Sequence, residues 1–228
     1  MRQVFPNVFA IRGWLGWTHL LVDNGTVTLL DGGFVNERRR IQRAVLKLAG
    51  RPQALRSILL THGHLDHTLN AAALQRWSGA EVIAPADDRL HVAGLYPYAG
   101  AARVCGALEW LGRKLLRYRP PQVTRWVQPG DELPVWGGLR VVGLPGHTAG
   151  HVGYYSARHR VLFVGDAFAV SWRIALPPRF LNTDPDQVPV TFRSLAAWDV
   201  EQFIPAHYLW LPSDTVARVR RACYKRPA

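Results

Sequence analysis

Apolar positions along the chain repeat with two periods, and the change from one to the other marks out its elements. Thr18-His19-Leu20-Leu21-Val22 and Thr26-Val27-Thr28-Leu29-Leu30 are short apolar runs on either side of Asp23-Asn24-Gly25. Asn-Gly between such runs predicts two strands joined by a tight hairpin. Asp31-Gly32-Gly33 then ends the second strand. Over 36–48 the period becomes helical: Ile41, Val45 and Leu48 share one face, and Arg38, Arg39, Arg43 and Lys47 lie off it. Gly50 and Pro52 close that helix. A buried strand over 56–60, a polar loop over 61–67, a helix over 68–77 and a strand over 81–84 make a β–loop–α–β unit. Between 86 and 125 the rhythm breaks. There Val104, Leu108, Leu111 and Leu115 recur at helical spacing, predicting an inserted helix whose apolar face packs on the core or on a second copy of the chain, a homodimer, or forms a lid whose Leu and Trp side chains line an apolar acyl pocket. Strands return over 133–144, 152–156 and 160–164, followed by a helix over 186–199, a strand over 203–205 and a terminal helix over 214–225.

Each half of the chain therefore has strands first and a strand–loop–helix unit after them. This predicts two sheets packed face to face with helices outside, an α/β layered architecture. The length of 228 residues suits one domain over 1–228. With 48% hydrophobic and 19% charged residues, a disordered or fibrous chain is excluded. The net charge of +12, from 28 basic against 16 acidic residues, suggests anionic partners without choosing among them. Most of the basic residues are arginines, and Arg38-Arg39-Arg40 and the terminal cluster read as solvated helix faces. Cys105 and Cys223 lie far apart, which excludes a disulfide framework. The first residues do not have the pattern of a secretory leader, and no apolar run reaches about 18 residues. A cytoplasmic location without a membrane span is the expectation.

The chemistry concentrates in Thr61-His62-Gly63-His64-Leu65-Asp66-His67, between a strand and a helix. Imidazole and carboxylate are ligands for divalent metals. At a strand end, residues i and i+2 point the same way, so His62 and His64 can reach one ion. The turn into the helix redirects Asp66 and His67 toward a second ion, with Gly63 expected to give the backbone freedom for the bend. Three more turns follow predicted strands: Gly146-His147-Thr148-Ala149-Gly150-His151, Gly165-Asp166 and Pro205-Ala206-His207. Functional groups of layered α/β proteins sit on such loops.

This ordered set of motifs resembles the metallo-β-lactamase superfamily of hydrolases, over nearly the whole chain. The resemblance implies a four-layer αββα sandwich with a helical insertion around 86–125. It implies that His62, His64 and His147 hold one divalent metal ion, that Asp66, His67 and His207 hold another, and that Asp166 bridges both. The expected metal is zinc, with iron or manganese as alternatives. The implied reaction is attack by a hydroxide held between the two ions on an ester, lactone or thioester of a small molecule, acyl-bearing or anionic, with Asp66 orienting the nucleophile. The bridging Asp166 disfavours antibiotic hydrolysis, and the 21 residues after His207 leave no room for the C-terminal helical domain of glyoxalase II. The alternatives are a phosphodiesterase or nuclease of the same fold, for which nucleic acid is a less favoured partner, a mononuclear iron persulfide oxygenase, and a non-catalytic metal-binding module.

The remaining candidates have plainer readings. His151 is expected to support the site without binding metal, and Asp31 to orient the histidine loop. His19, His91 and His159 are expected to be structural. Tyr96, Trp110, Trp172 and Tyr208 are the candidates for the wall of an apolar acyl pocket.

Overall fold

In the computed structural model, residues 1–95 and 98–225 are described. Tyr96, one of the expected pocket residues, lies outside them. The first sheet contains β1 (Arg2–Phe5), β2 (Val8–Arg12), β3 (Trp17–Asp23), β4 (Thr26–Leu30), β5 (Leu55–Leu59), β6 (Glu81–Pro85) and β7 (Arg125–Val127), paired in that order. Its first four strands are antiparallel, and β4 to β7 run parallel. The second sheet follows: β8 (Glu132–Leu133), β9 (Leu139–Gly143), β10 (Val152–Ser156) and β11 (Val161–Gly165). After a small ribbon of β12 (Ala169–Val170) and β13 (Ile174–Ala175), β14 (Gln202–Pro205) completes this sheet beside β11, in parallel. The helices are α1 (Glu37–Ala49), α2 (Leu65–Thr68), α3 (Ala71–Ser78), α4 (Arg89–Val92), α5 (Arg103–Leu115), α6 (Gln187–Ser194) and α7 (Thr215–Lys225).

Alternation along the strands builds four layers. Leu21, Leu30, Leu59 and Ile83 face inward between the sheets and meet Val141, Tyr154, Val161, Phe163 and Ile204. Their neighbours Leu20, Leu29, Ile58 and Val82 face outward under Ile41 and Val45 of α1 and Leu74 of α3. On the second sheet, Leu162, Val164 and Phe203 face outward under Phe192 of α6 and Val219 and Cys223 of α7. The buried strands read as continuous apolar runs because both of their faces are covered. This is the expected αββα sandwich.

Most predicted elements fall within a residue or two of their places. The Asn24-Gly25 turn has both residues left-handed, at φ 47° and 73°, as a type I′ hairpin requires. The helix expected over 68–77 is divided into α2 and α3, and the one over 186–199 ends at Ser194 with a short 3₁₀ turn after it. Helix α5 departs most from expectation. Its apolar stripe does not pack on the core: Val104, Leu108, Leu111 and Leu115 are all exposed. The face turned inward instead carries Cys105, Gly106 and Arg113. Polar anchoring, described below, sets this orientation.

His19 is a core residue, as expected. Its Nε2 lies 3.2 Å from the Tyr208 hydroxyl, and burial pushes its pKa down to about 3. The unfolded chain, with an ordinary imidazole near 6.5, takes up the proton first as pH falls, so the folded state loses stability between pH 6.5 and about 3. In the metal-free protein, His19→Gln should flatten the fall in unfolding free energy over about pH 6 to 4, by up to about 1.4 kcal/mol per pH unit. Urea titrations of the two proteins across that range measure it; identical slopes would contradict the assignment.

Candidate metal centre

The two sheets deliver their side chains to one rim. Asp31 follows β4, Thr61 and His62 follow β5, and Asp88 follows β6. From the other sheet, His147 follows β9, Asp166 follows β11 and His207 follows β14. All six strands point their C-terminal ends at this rim, where loops rather than ladder hydrogen bonds continue the chain.

Potential ligand atoms gather there within 4.8 Å of one another in three overlapping groups: His62, His64 and His147; Asp66, His67 and His207; and His62, His67 and Asp166. Every residue expected in the site is therefore present. Asp166 stands between the first two groups. Its Oδ2 lies 3.4 Å from His147 Nε2 and 3.1 Å from His207 Nε2, and its Oδ1 lies 3.3 Å from His67 Nε2.

Hydrogen bonds around the rim fix how the rings present themselves. A carbonyl or carboxylate oxygen only accepts, so the nitrogen facing it carries the proton. His67 Nδ1 donates to Asp31 Oδ2 at 2.9 Å, His147 Nδ1 to Asn182 Oδ1 at 2.9 Å, and His207 Nδ1 to the Leu15 carbonyl at 2.8 Å. The Thr61 hydroxyl donates to Asp31 and accepts from His62 Nδ1 at 3.0 Å. Each of these four rings thus turns Nε2 inward. The Nε2 atoms of His62, His64, His67 and His147 and Oδ1 of Asp166 are buried without a hydrogen-bond partner. Leaving five converging polar atoms unsatisfied is costly, and a divalent cation is the partner that satisfies all of them. The donor set fits a metal.

Burial, reinforced by the neighbouring imidazoles, holds His62 and His64 well below the ordinary histidine pKa, in the neutral form a metal requires. For His67, burial acts downward, but the carboxylates of Asp166, Asp66 and Asp31 outweigh it and hold the ring well above its ordinary value. Burial also acts downward on His207, where Asp166 and Asp66 outweigh it and push the pKa up to about 9. Burial alone would raise Asp166, yet His207 and His67 hold it well below the usual carboxylate range.

His151 supports the site, as expected: its Nδ1 donates to the Leu144 carbonyl, and its Nε2 accepts the Asp166 backbone N–H at 3.0 Å. Burial pushes its pKa down to about 4, which keeps that acceptor available. Asp31 also accepts the Thr61 N–H, orienting the histidine loop as expected. Gly63 does not act as a bend. It lacks the left-handed φ of the hinge glycines, and its role is close approach, since a Cβ there would fall 2.3 Å from His91 Cβ.

Several supporting residues were not evident from the sequence. Asp88 is fully buried. It accepts the Gly63 N–H and the Thr148 hydroxyl at 2.7 Å each and the Gly150 N–H at 2.8 Å, so it joins the two ligand loops. Its signal was its position just after a strand, like that of Asp31. On α5, Glu109 accepts the Leu65 N–H and pairs with Arg113, which donates to the Gly63 carbonyl. The i, i+4 spacing of Glu109 and Arg113 inside an apolar helix was the available clue. Asn182, between two prolines' carbonyls and His147, left none.

A cavity of about 600 Å³ opens over the centre. His64, Asp66, His147, Asp166 and His207 form its floor, and Leu15, Phe34, Leu108, Phe168, Leu176 and Leu181 form its walls. The three described aromatic residues expected in the wall are elsewhere. Trp110 is half exposed, Trp172 is 81% exposed against Trp210, and Tyr208 stacks on Trp17 in the core. The cavity is bounded by the turn before β3, by α5 and by the segment after β13.

The family model of the metallo-beta-lactamase superfamily matches residues 11–203. The chain belongs to this superfamily. Within it, the chain is 30% identical over 150 residues to the hydroxyacylglutathione hydrolase of Stenotrophomonas maltophilia (strain R551-3), a match covering 65% of this chain and 44% of that one. It is 29% identical over 153 residues to the hydroxyacylglutathione hydrolase GloC of Haemophilus influenzae (strain ATCC 51907 / DSM 11121 / KW20 / Rd), covering 63% and 62%. The matched regions thus span less than two thirds of either relative. The crystal structure of a metallo-beta-lactamase family protein from Thermus thermophilus superposes with a TM-score of 0.75 at 23% identity, covering 98% of this chain and 80% of that one, which shows the common fold. Among the described residues, no helix is long and apolar enough to cross a membrane.

Replacing Asp88 with Asn leaves one acceptor oxygen where three donors converge and sets an NH₂ group against them. Metal affinity should fall by about 10- to 100-fold, and the metal-free fold should lose about 3 kcal/mol. Competition with a chromophoric chelator and urea unfolding report the two losses; wild-type values in both would refute the tie.

Proposed function

We propose that the protein is a dinuclear zinc hydrolase that cleaves an ester, lactone or thioester of an apolar acyl group. The observation that carries this reading is the position of Asp166, whose two oxygens face His67 on one side and His147 and His207 on the other. His62, His64 and His147 would hold one ion and Asp66, His67 and His207 the other, with Asp166 shared. Bound there, the pair of ions would supply Lewis acidity and lower the pKa of water.

The protein's own groups do the rest. Asp66 lines the cavity floor and keeps a partly exposed carboxylate, so it accepts a hydrogen bond from the attacking water and orients it. Asp31, Asn182 and the Leu15 carbonyl hold the rings of His67, His147 and His207 against rotation. Preset positions of this kind reduce the reorganisation needed during reaction. The water oxygen bonds to the acyl carbon, the C–O or C–S bond breaks, and the water proton ends on the departing alkoxide or thiolate.

The cavity walls supply the acyl preference. Leu15, Phe34, Leu108, Phe168, Leu176 and Leu181 are apolar, and no lysine or arginine lines the cavity among the described residues. Burying a methylene against such walls contributes about 0.8 kcal/mol. The hydroxyacylglutathione hydrolases among the relatives support the thioester member of the substrate set.

Two measurements test the reading. Asp166→Ala should retain at most one zinc by elemental analysis and lose at least about a thousandfold in kcat; two ions and full activity would end the proposal. Leu108→Asp should raise KM for an octanoyl ester by about tenfold while leaving an acetyl ester nearly unchanged; equal effects on both would remove Leu108 from the acyl wall.

A further inference from the structure

A second concavity, of about 520 Å³, lies on the same side of the molecule. Arg38 and Arg39 enter it from the first turn of α1, Arg76 from α3, and Arg117 and Arg119 from the segment after α5. No aspartate or glutamate lines it, and among the described residues none of the five guanidinium groups forms an ion pair or a side-chain hydrogen bond. Arg38 and Arg39 lie exposed on a solvated helix face, as the sequence predicts. The fold also brings three sequence-distant segments together so that their like charges line one concavity. Guanidinium forks match phosphate oxygens, and an uncompensated cluster in a concave surface focuses a positive field.

Arg117 adds a local sign. It sits just past the end of α5 with φ 51°, a left-handed position where glycine is usual and an arginine is strained. A guanidinium is kept there against the backbone preference.

The two concavities adjoin. Phe34 lines the acyl cavity and Val35 the arginine one; Gly112 of α5 lines the first and Leu116, just past the end of α5, the second. Leu65 and Asp66 line the first and Leu69 the second, again one turn apart. Asp66 of α2 lines the first cavity and Arg76 of α3 the second, so a ligand held at both needs an extended arm between them, which an amide-containing chain about four residues long supplies at about 14 Å.

We propose that the arginine concavity binds the phosphates of a nucleotide-bearing thiol carrier, so that the substrate is an acyl thioester with its acyl group in the apolar cavity and its phosphorylated nucleoside among Arg38, Arg39, Arg76, Arg117 and Arg119. This rests on the hydrolase reading above and narrows it to thioesters. Water attacks the acyl carbon, the C–S bond breaks, and the products are the free acid and the carrier thiol.

The test uses the zinc-loaded full chain with octanoyl-coenzyme A and octanoyl-pantetheine, which share the acyl group and arm and differ in the nucleotide. KM should be about tenfold lower for the first at low salt. Arg76→Ala combined with Arg117→Gly should raise KM for the coenzyme A thioester by about tenfold and leave kcat and both constants for the pantetheine thioester unchanged. Glycine suits the φ at position 117, so this change keeps the fold intact. Arg43→Ala, on the other flank of α1, should change nothing. Equal KM values for the two thioesters in the wild type would overturn the inference. So would an Arg43→Ala effect as large as that of the double variant, which would assign the patch to diffuse attraction for a polyanion such as nucleic acid. If neither thioester is cleaved, the thioester reading fails by itself. Calorimetric titration with adenosine 3′,5′-bisphosphate then decides the concavity: binding weakened about tenfold by the double variant supports it, and no binding overturns it.

Discussion

The Asp88 carboxylate sets the spacing of the two loops on which the centre depends. One side chain, buried at the end of β6, accepts from Gly63 of the first histidine loop and from Thr148 and Gly150 of the second. The first loop grows out of one sheet and the second out of the other, so the bond set spans the sandwich. A charged acceptor with three donors in a dry setting is worth keeping only when all three are met. The need to meet them explains the close approach at Gly63. It also accounts for the orientation of α5, whose Glu109 and Arg113 meet the Leu65 N–H and the Gly63 carbonyl left by that loop.

Electrostatic sorting follows from the same scaffold. His62 and His64 are surrounded by imidazoles and stay neutral, whereas His67 and His207 face carboxylates and favour the charged form. His62 and His64 therefore present ready lone pairs, and His67 and His207 exchange protons for a cation. Asp166 is shared by both groups, so the asymmetry comes from Asp66, which faces only His67 and His207, and a paired site of this kind can distinguish its two positions.

The fold was legible where a pattern is local. The Asn24-Gly25 turn, the amphipathic α1 and the apolar runs of β5 and β11 each announce their structure within about ten residues. The candidate ligands were legible because the first histidine loop packs its His and Asp into a few positions and the others follow strands. What escaped was long-range. Asp88 and Asn182 act on loops distant in sequence, so nothing near them in the chain reports the role. Helix α5 misled for a physical reason: its periodic leucines predict a packed stripe, but two ionic side chains with backbone partners outweigh them and turn the stripe outward. Leu108 of α5 lines the cavity, whereas Trp110, Trp172 and Tyr208 do not, because aromatic character along the chain carries no information on proximity.

With every working strand ending at one rim, the Asn24-Gly25 turn between β3 and β4 lies at the other end of its strands and is exposed. It is a site at which a label, a tether or a grafted peptide can be carried while the chemistry at the far end of the sandwich proceeds undisturbed.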